Sequence, residues 1–498
     1  MVSSFSKVAV AALTSLLSYP SSTQVHRTAG QRLGLRSFQE KQVRNFFERK
    51  TIAFRDFGFR QSSGKRIRNH KKQTTLQASP VSTSPPVPDT AVTWISKNQQ
   101  IRAQTALAEL FAASKTGLDP SLNRFHAPLV YHDGYSCPWP ETHTFPMQKF
   151  ERTSHALLTT TSKTVASSNL PRPLVRSEVD YFRPPNFSEI NIDEWLDLLN
   201  RDTEDGCQYD HSKAKLYCDF GRRFLERQLT REEARIIGFR EETHRPELVE
   251  RTVLEVAGTV LTAQLALKYG IAANLAGGTH HAHPTGGAGY TILNDLAITA
   301  NLLTMASPTG NHESDAETNA NVTRAPGKHH SQTVERILVI DCDVHQGDGT
   351  AQYSTLWQDD GRLFTLSLHC ESNYPFQKHN STYDVGLPDR CNDHDYLIAL
   401  EESVNRALSE VHPDLVIYDA GVDVFKNDKL GRLHLTEEGI RRRDRWVLDR
   451  CISMGIPVAA VVGGGYDKDI DALGRRHAII HEECAYIWRK YKLWRSQL

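Results

Sequence analysis

The chain has no net charge at neutral pH, with 59 Lys and Arg against 59 Asp and Glu. Its body carries no long stripe of basic and aromatic residues, so direct nucleic-acid binding is not expected. No stretch approaches the roughly 20 apolar residues of a membrane-spanning helix, and no membrane span is expected. Cysteine is sparse: 8 residues in 498, none before Cys137. No two are spaced CxxC, which argues against a zinc ribbon, a redox motif or a dense disulfide framework. The thiols are expected to be reduced. At 39% hydrophobic and 24% charged residues, what remains is the make-up of a soluble globular protein.

The zero total hides an uneven spread. Residues 1–90 hold 15 Lys and Arg and 4 Asp and Glu, so a basic leader precedes an acidic body. Lys7 is followed by an apolar run from Val8 to Leu17, then by an Arg- and Ser-rich, acid-poor stretch. That stretch resembles a mitochondrial or plastid transit peptide, and the apolar start alone resembles a signal peptide. An organellar location is expected, in plastid or mitochondrion. A disordered basic tail on a nuclear or cytoplasmic protein is the alternative. Residues 79–90 form a Pro/Ser/Thr linker that cannot build a core. Residues 1–94 are therefore set apart from a folded domain over 95–498.

Within that domain, short apolar runs alternate with helical patterns. Candidate strands are Leu129–Tyr131, Ile271–Ala276, Ile337–Ile340, Phe364–Leu368, Leu415–Tyr418 and Val458–Val462. Each suits a strand buried on both faces. Helical patterns lie between them at Leu248–Tyr269, Tyr396–Val411 and Thr436–Met454. The alternation predicts an α/β fold: one domain with a mostly parallel central sheet and helices on both faces. Residues 306–333 break the pattern. They are polar and aperiodic, and read as a disordered surface insertion. His329 and His330 there are expected to be solvated rather than ligands. Asn321-Val-Thr323 fits a glycosylation sequon that often arises by chance.

Chemistry gathers at strand ends, where open parallel sheets bind ligands. The strand ending at Ile340 runs into Asp341-Cys-Asp343-Val-His345-Gln-Gly-Asp348-Gly. Asp343 and His345, two apart in an extended segment, point to one side and offer a carboxylate and an imidazole. The alternative is a polar strand end with a capping Asp. The run Leu415–Tyr418 ends in Asp419-Ala-Gly-Val-Asp423, so Asp423 can complete a three-ligand site with an open position, the mark of a catalytic metal. Asp419 reads as a support. After another buried run comes Ala276-Gly-Gly-Thr-His280-His281-Ala-His283. Its paired histidines can move protons for an attacking water and a leaving amine. Asp341 and Asp348 suit carboxylates behind them. His283 reads as a solvated loop residue. Val462-Gly-Gly-Gly465-Tyr466 offers either a phenol for an oxyanion or a turn with a packing tyrosine.

Together the GGTHHA, DCDVHQGDG, GVD and GGGY stretches resemble the zinc-dependent histone deacetylase family, in its order and spacing, from about residue 125 to the C-terminus. The resemblance implies the arginase/deacetylase fold. Finer features are similar to class IV and its bacterial relatives: His143-Thr-Phe-Pro-Met147, Ser367-Leu-His369, Asn373-Tyr-Pro375-Phe376, Asp384-Val-Gly-Leu-Pro388 and Gln346. It implies that Asp343, His345 and Asp423 bind zinc and that His280 and His281, backed by Asp341 and Asp348, move protons. Tyr466 would polarise the carbonyl. Gly289 and Tyr290 would line an acyl tunnel opposite Tyr374. Asp341, Asp343, His345, Ser367 and Leu368 would hold a structural potassium ion. The loop Pro284-Thr-Gly-Gly departs from the charged loop of classical members, which touches the rim and its substrate preference.

The implied reaction is hydrolysis of an acetyl or longer acyl amide on a protein lysine. Small acylated amines such as acetylpolyamines are the alternative substrates. A silent acyl-lysine binding module would have lost a ligand or the tyrosine, and all are present. A two-metal ureohydrolase needs more carboxylates than the Asp419–Asp423 segment supplies. One imidazole and two carboxylates accept zinc or iron(II). Acyl length and oligomeric state stay open.

Overall fold

The computed structural model describes residues 96–159, 173–199, 219–307, 333–358 and 361–497. The basic leader, the linker, and the insertion's His329, His330 and Asn321 lie outside these residues.

Seven strands form one sheet: β1 (Leu129–Val130), β2 (Ile271–Asn274), β3 (Ile337–Asp341), β4 (Leu363–Cys370), β5 (Tyr383–Leu387), β6 (Leu415–Asp419) and β7 (Val458–Val461). Their order is β1-β2-β7-β6-β3-β4-β5, and every pairing is parallel. Parallel neighbours need crossovers. The longer helices are α1 (Lys97–Ala113), α2 (Lys149–Thr159), α3 (Pro246–Tyr269), α4 (Asp295–Ala306), α5 (Asp348–Leu356), α6 (Asp393–Val411), α7 (Glu437–Ser453) and α8 (Ile470–Tyr491). α3 packs with α4, and α7 with α8, so that helices cover both faces of the sheet.

That cover explains the sequence of the central strands. Ile337, Leu338, Val339 and Ile340 of β3 are all buried, as are Leu415, Val416, Ile417 and Tyr418 of β6. Burying each such aliphatic side chain stabilises by about 1.5–3 kcal/mol, so no polar residue is tolerated until the strand ends. The expected strands are all present, within a few residues of their bounds. β5 is additional. It is an edge strand whose residues alternate between half-buried and exposed until Leu387. Asp384 and Gly386 dilute its apolar signal, which is why composition did not mark it.

The strand order decides where the site lies. β3 has β4 on one side and β6 on the other, and β7 lies beyond β6. The register sets Asp341 beside both Ser367 and Asp419, and Asp419 beside Val461. The loops that follow β3, β6 and β7 therefore leave the sheet at one level. This is the switch point of a doubly wound sheet, where a crevice opens past the carboxyl ends.

The ends of the polar insertion are clasped. Ser307 Oγ accepts from Val334 N at 2.7 Å and donates to Val334 O at 2.9 Å. Chain leaving α4 returns to the same point before entering β3.

Candidate active site

The loops after β3 and β6 bring Asp343, His345 and Asp423 together. His345 Nδ1 lies 3.0 Å from Asp343 Oδ1 and 3.2 Å from Asp423 Oδ2. The backbone fixes both acids: His345 N donates to Asp343 Oδ1, Val344 N to Asp423 Oδ1 and Gly464 N to Asp343 Oδ2. A side chain on Gly464 would press into both carboxylates, so only glycine lets this backbone come so close. Asp423 is fully buried, and its Oδ2 meets no backbone donor, only the His345 ring at 3.2 Å. Burial opposes charge on His345, but Asp343 and Asp423 outweigh it and push its pKa up to about 10. An imidazole so drawn to positive charge, held between two buried carboxylates, fits a divalent cation in place of the proton.

His280 and His281 follow β2, their ring centres 4.2 Å apart and their planes tilted by 56°. His280 Nδ1 meets Asp341 Oδ2 at 2.8 Å, and His281 Nδ1 meets Asp348 Oδ1 at 2.5 Å. Their charge states diverge. Burial works against a charged His280, but the carboxylates of Asp341 and Asp343 hold its pKa well above the ordinary value. For His281, burial and the neighbouring His280 charge win over Asp348, and its pKa falls to about 4. His281 is thus the neutral base, with Nδ1–H held by Asp348 and Nε2 free.

Tyr466 follows β7 and joins His281, Asp343 and His345 around one inner chamber. Burial, then Asp423 and Asp343, push its phenol well above the usual range, so it keeps its proton to donate. Its backbone N donates to Asp428 Oδ2 at 2.7 Å, and Asp428 Oδ1 accepts from Leu430 N and Gly431 N. Asp428 was not foreseen, because a carboxylate in a polar loop reads as solvated. The chamber has about 30 Å³ of free volume, and Lys149, Arg251 and Glu255 close its far end. Lys149 Nζ donates to Gly463 O at 2.8 Å, and burial brings its pKa down to about 8. These three were also missed; the one signal was the position of Lys149 two residues after the Met147 motif.

An outer bowl of about 380 Å³ leads to the chamber past Gly289, Tyr290, Tyr374 and Tyr466. Gly289 has φ +55°, and a side chain there would strike the His281 ring. Tyr374 stands 5.0 Å from His281 between ring centres, and Tyr290 stands 6.0 Å from Tyr466. The expected tunnel residues thus flank one passage. His143 packs between Trp139, Phe239 and Tyr290 behind it.

Two expectations need correction. His283 is not solvated: its Nε2 lies 3.1 Å from Asp348 Oδ2, and its side chain is only 21% exposed. The turn after the histidine pair folds it back onto α5. Asp419 supports nothing by hydrogen bonding. Both its oxygens are buried without partners, with Oδ2 3.8 Å from His280 Nδ1. Of the potassium set, which the resemblance places on the backbone, Asp341 and Ser367 are neighbours across β3 and β4.

A buried cation holds the ligand loops from behind. The Arg443 guanidinium of α7 donates to Cys342 O, Gly421 O and Ala420 O, and to Asp444 Oδ1 at 2.8 Å. Removing one member of a buried pair costs about 3–5 kcal/mol. Arg443→Met is expected to lose about that much stability in urea and to weaken metal binding. A loss below about 1 kcal/mol would show that the carbonyls need no anchor.

Residues 196–310 and 318–480 match the histone deacetylase domain. The chain is 39% identical over 354 residues to an uncharacterized protein of Picosynechococcus sp., covering 71% of this chain and 97% of that one. The chain belongs to the histone deacetylase family. It is 29% identical to histone deacetylase 2 of Arabidopsis thaliana, covering 44% of this chain and about half, 52%, of that protein. A crystal structure of a histone deacetylase homologue complexed with SAHA superposes with a TM-score of 0.49 at 21% identity, covering 73% of this chain and 84% of the other. Membership makes this chain a deacetylase-type hydrolase, in a family that is generally metal-dependent.

Proposed function

We propose that this histone deacetylase-family protein hydrolyses the acetyl amide of protein lysine side chains, with zinc as its ion. One observation carries the reading: Asp343, His345, His281 and Tyr466 meet at one chamber, which the outer bowl adjoins. A divalent cation on Asp343, His345 and Asp423 supplies Lewis-acid charge that polarises the amide carbonyl and acidifies water. His281 Nε2 takes a proton from the attacking water while Asp348 steadies the imidazolium that forms. Cationic His280 adds positive charge beside it. Tyr466 donates to the oxyanion as the carbonyl becomes tetrahedral. When the carbon–nitrogen bond breaks, His281 returns its proton to the leaving lysine amine, and acetate is left.

The chamber speaks for a short acyl group. Its free volume is about 30 Å³, against about 380 Å³ for the bowl, and Lys149, Arg251 and Glu255 make part of its wall charged. A methyl group fits; a long alkyl chain would have to displace Lys149 and Arg251. The bowl speaks for a protein substrate. Its rim exposes Phe376 at 87% and Ile236 at 58%, and among the described residues Arg432 lines it without an acidic one. An acetylated polyamine would bring its cation against Arg432 with no carboxylate to meet it.

A substrate panel tests this, with lysine peptides carrying acetyl through myristoyl groups beside acetylated polyamines. The expected result is at least about tenfold higher kcat/KM for acetyl peptide than for myristoyl peptide or polyamine, a difference of about 1.4 kcal/mol. Preference for myristoyl would refute the chamber argument. Turnover of polyamines alone would refute the protein-substrate argument.

A further inference from the structure

The geometry points to a second divalent-cation site beside the histidine pair, formed by His283, Asp348 and His379, whose occupation inhibits the enzyme. Ligand atoms of these three residues lie within 4.8 Å of one another. They come from the turn after the histidine pair, the first turn of α5 and the β4–β5 connection. Two imidazoles and a carboxylate are the ligand set of a catalytic or regulatory zinc-type ion, with room for solvent in the fourth position.

Each ligand is held in place by its own supports. The His283 backbone closes a tight turn, its N donating to Gly286 O at 2.8 Å. Its ring Nδ1 lies 3.0 Å from Gln352 Oε1, which makes Nδ1 the donor and leaves Nε2 to face Asp348. A lone pair 3.1 Å from a carboxylate oxygen is repulsive unless a proton or a cation sits between. Two ligand atoms about 2.0–2.2 Å from a tetrahedral ion stand about 3.3–3.5 Å apart, close to that spacing. The His379 backbone is gripped from both sides by the Gln346 side chain: Nε2 donates to His379 O at 2.6 Å, and Oε1 accepts from His379 N at 2.9 Å. Gln346 adjoins His345, so the His379 loop is tied to the ligand segment of the first site.

Asp348 joins the two sites. Its Oδ1 holds His281 Nδ1 and its Oδ2 faces His283. A cation on Oδ2 draws charge from Oδ1 and weakens the support of the His281 imidazolium. Inhibition therefore rests on His281 being the base, while binding at the second site does not.

The test is equilibrium dialysis of the full chain against zinc, with metal per chain measured beside acetyl-lysine turnover, for wild type and His379→Asn. Wild type is expected to bind two ions and to lose at least tenfold in kcat as the second binds. His379→Asn should bind one, with the same kcat at one equivalent and no loss in excess zinc. A single ion in wild type, or a second ion that survives His379→Asn, would overturn the site. A second ion lost in His379→Asn but without effect on turnover would overturn the coupling through Asp348. If no substrate is turned over, stoichiometry still decides the site, and only the catalytic reading fails.

Discussion

Replacing Tyr466 by Phe is expected to leave zinc bound and the fold intact while kcat falls by about 10²–10³, the cost of one oxyanion donor, about 2.7–4 kcal/mol. The geometry separates those two effects. The Tyr466 ring lines the chamber, but its hydroxyl is no part of the Asp343–His345–Asp423 cluster. The residue's position is set through its backbone by Asp428, which phenylalanine keeps. KM should change little, because the hydroxyl gains its partner only as the carbonyl oxygen becomes anionic. Steady-state kinetics with metal analysis checks this. Wild-type kcat in a metal-loaded Tyr466→Phe protein would remove Tyr466 from the mechanism.

Asp343→Asn should be more severe. Asp343 Oδ1 accepts from His345 N and meets His345 Nδ1, while Oδ2 accepts from Gly464 N. Both oxygens already face donors, so an amide NH₂ on either side sets donor against donor and removes one of two negative charges. Zinc per chain is expected to fall by one, leaving at most the ion of the His283–Asp348–His379 group. Losing several kcal/mol of charge stabilisation, at about 1.36 kcal/mol per tenfold, implies a loss of about 10³-fold or more in kcat/KM. The thermal midpoint of the metal-free protein should fall, since His280 and His345 favour the charge on Asp343 and both its oxygens face donors. The wild-type zinc content in Asp343→Asn would contradict the assignment.

The sequence was most legible where chemistry sits next to a fully buried strand. The ends of β3, β6 and β7 stand out because an all-apolar run breaks into acids, histidines or glycines within one or two residues. The contacts of His280 with Asp341 and of His281 with Asp348 could be anticipated from the chemistry of a carboxylate behind a histidine, although β7 and β6 lie between β2 and β3 in the sheet. Less legible were Lys149, Arg251 and Glu255. They reach the chamber from α2 and α3, and a single charged residue in a helix ordinarily faces water. Arg443 was hidden for the same reason, amid the run Arg441-Arg-Arg443 in α7, where only the fold shows which guanidinium turns inward. His283 was misjudged because a turn's direction depends on what it packs against, here α5. β5 escaped notice because half of an edge strand belongs to solvent.

The central claim is that a cation on Asp343, His345 and Asp423 makes this chain an amide hydrolase. The most direct measurement strips the full-length protein with chelator, adds zinc stepwise up to one equivalent, and follows acetate release from an acetyl-lysine peptide. The account predicts no turnover without metal, and turnover rising in proportion to zinc until one ion per chain is bound. Equal turnover in the stripped protein, or none at one bound equivalent, would contradict it.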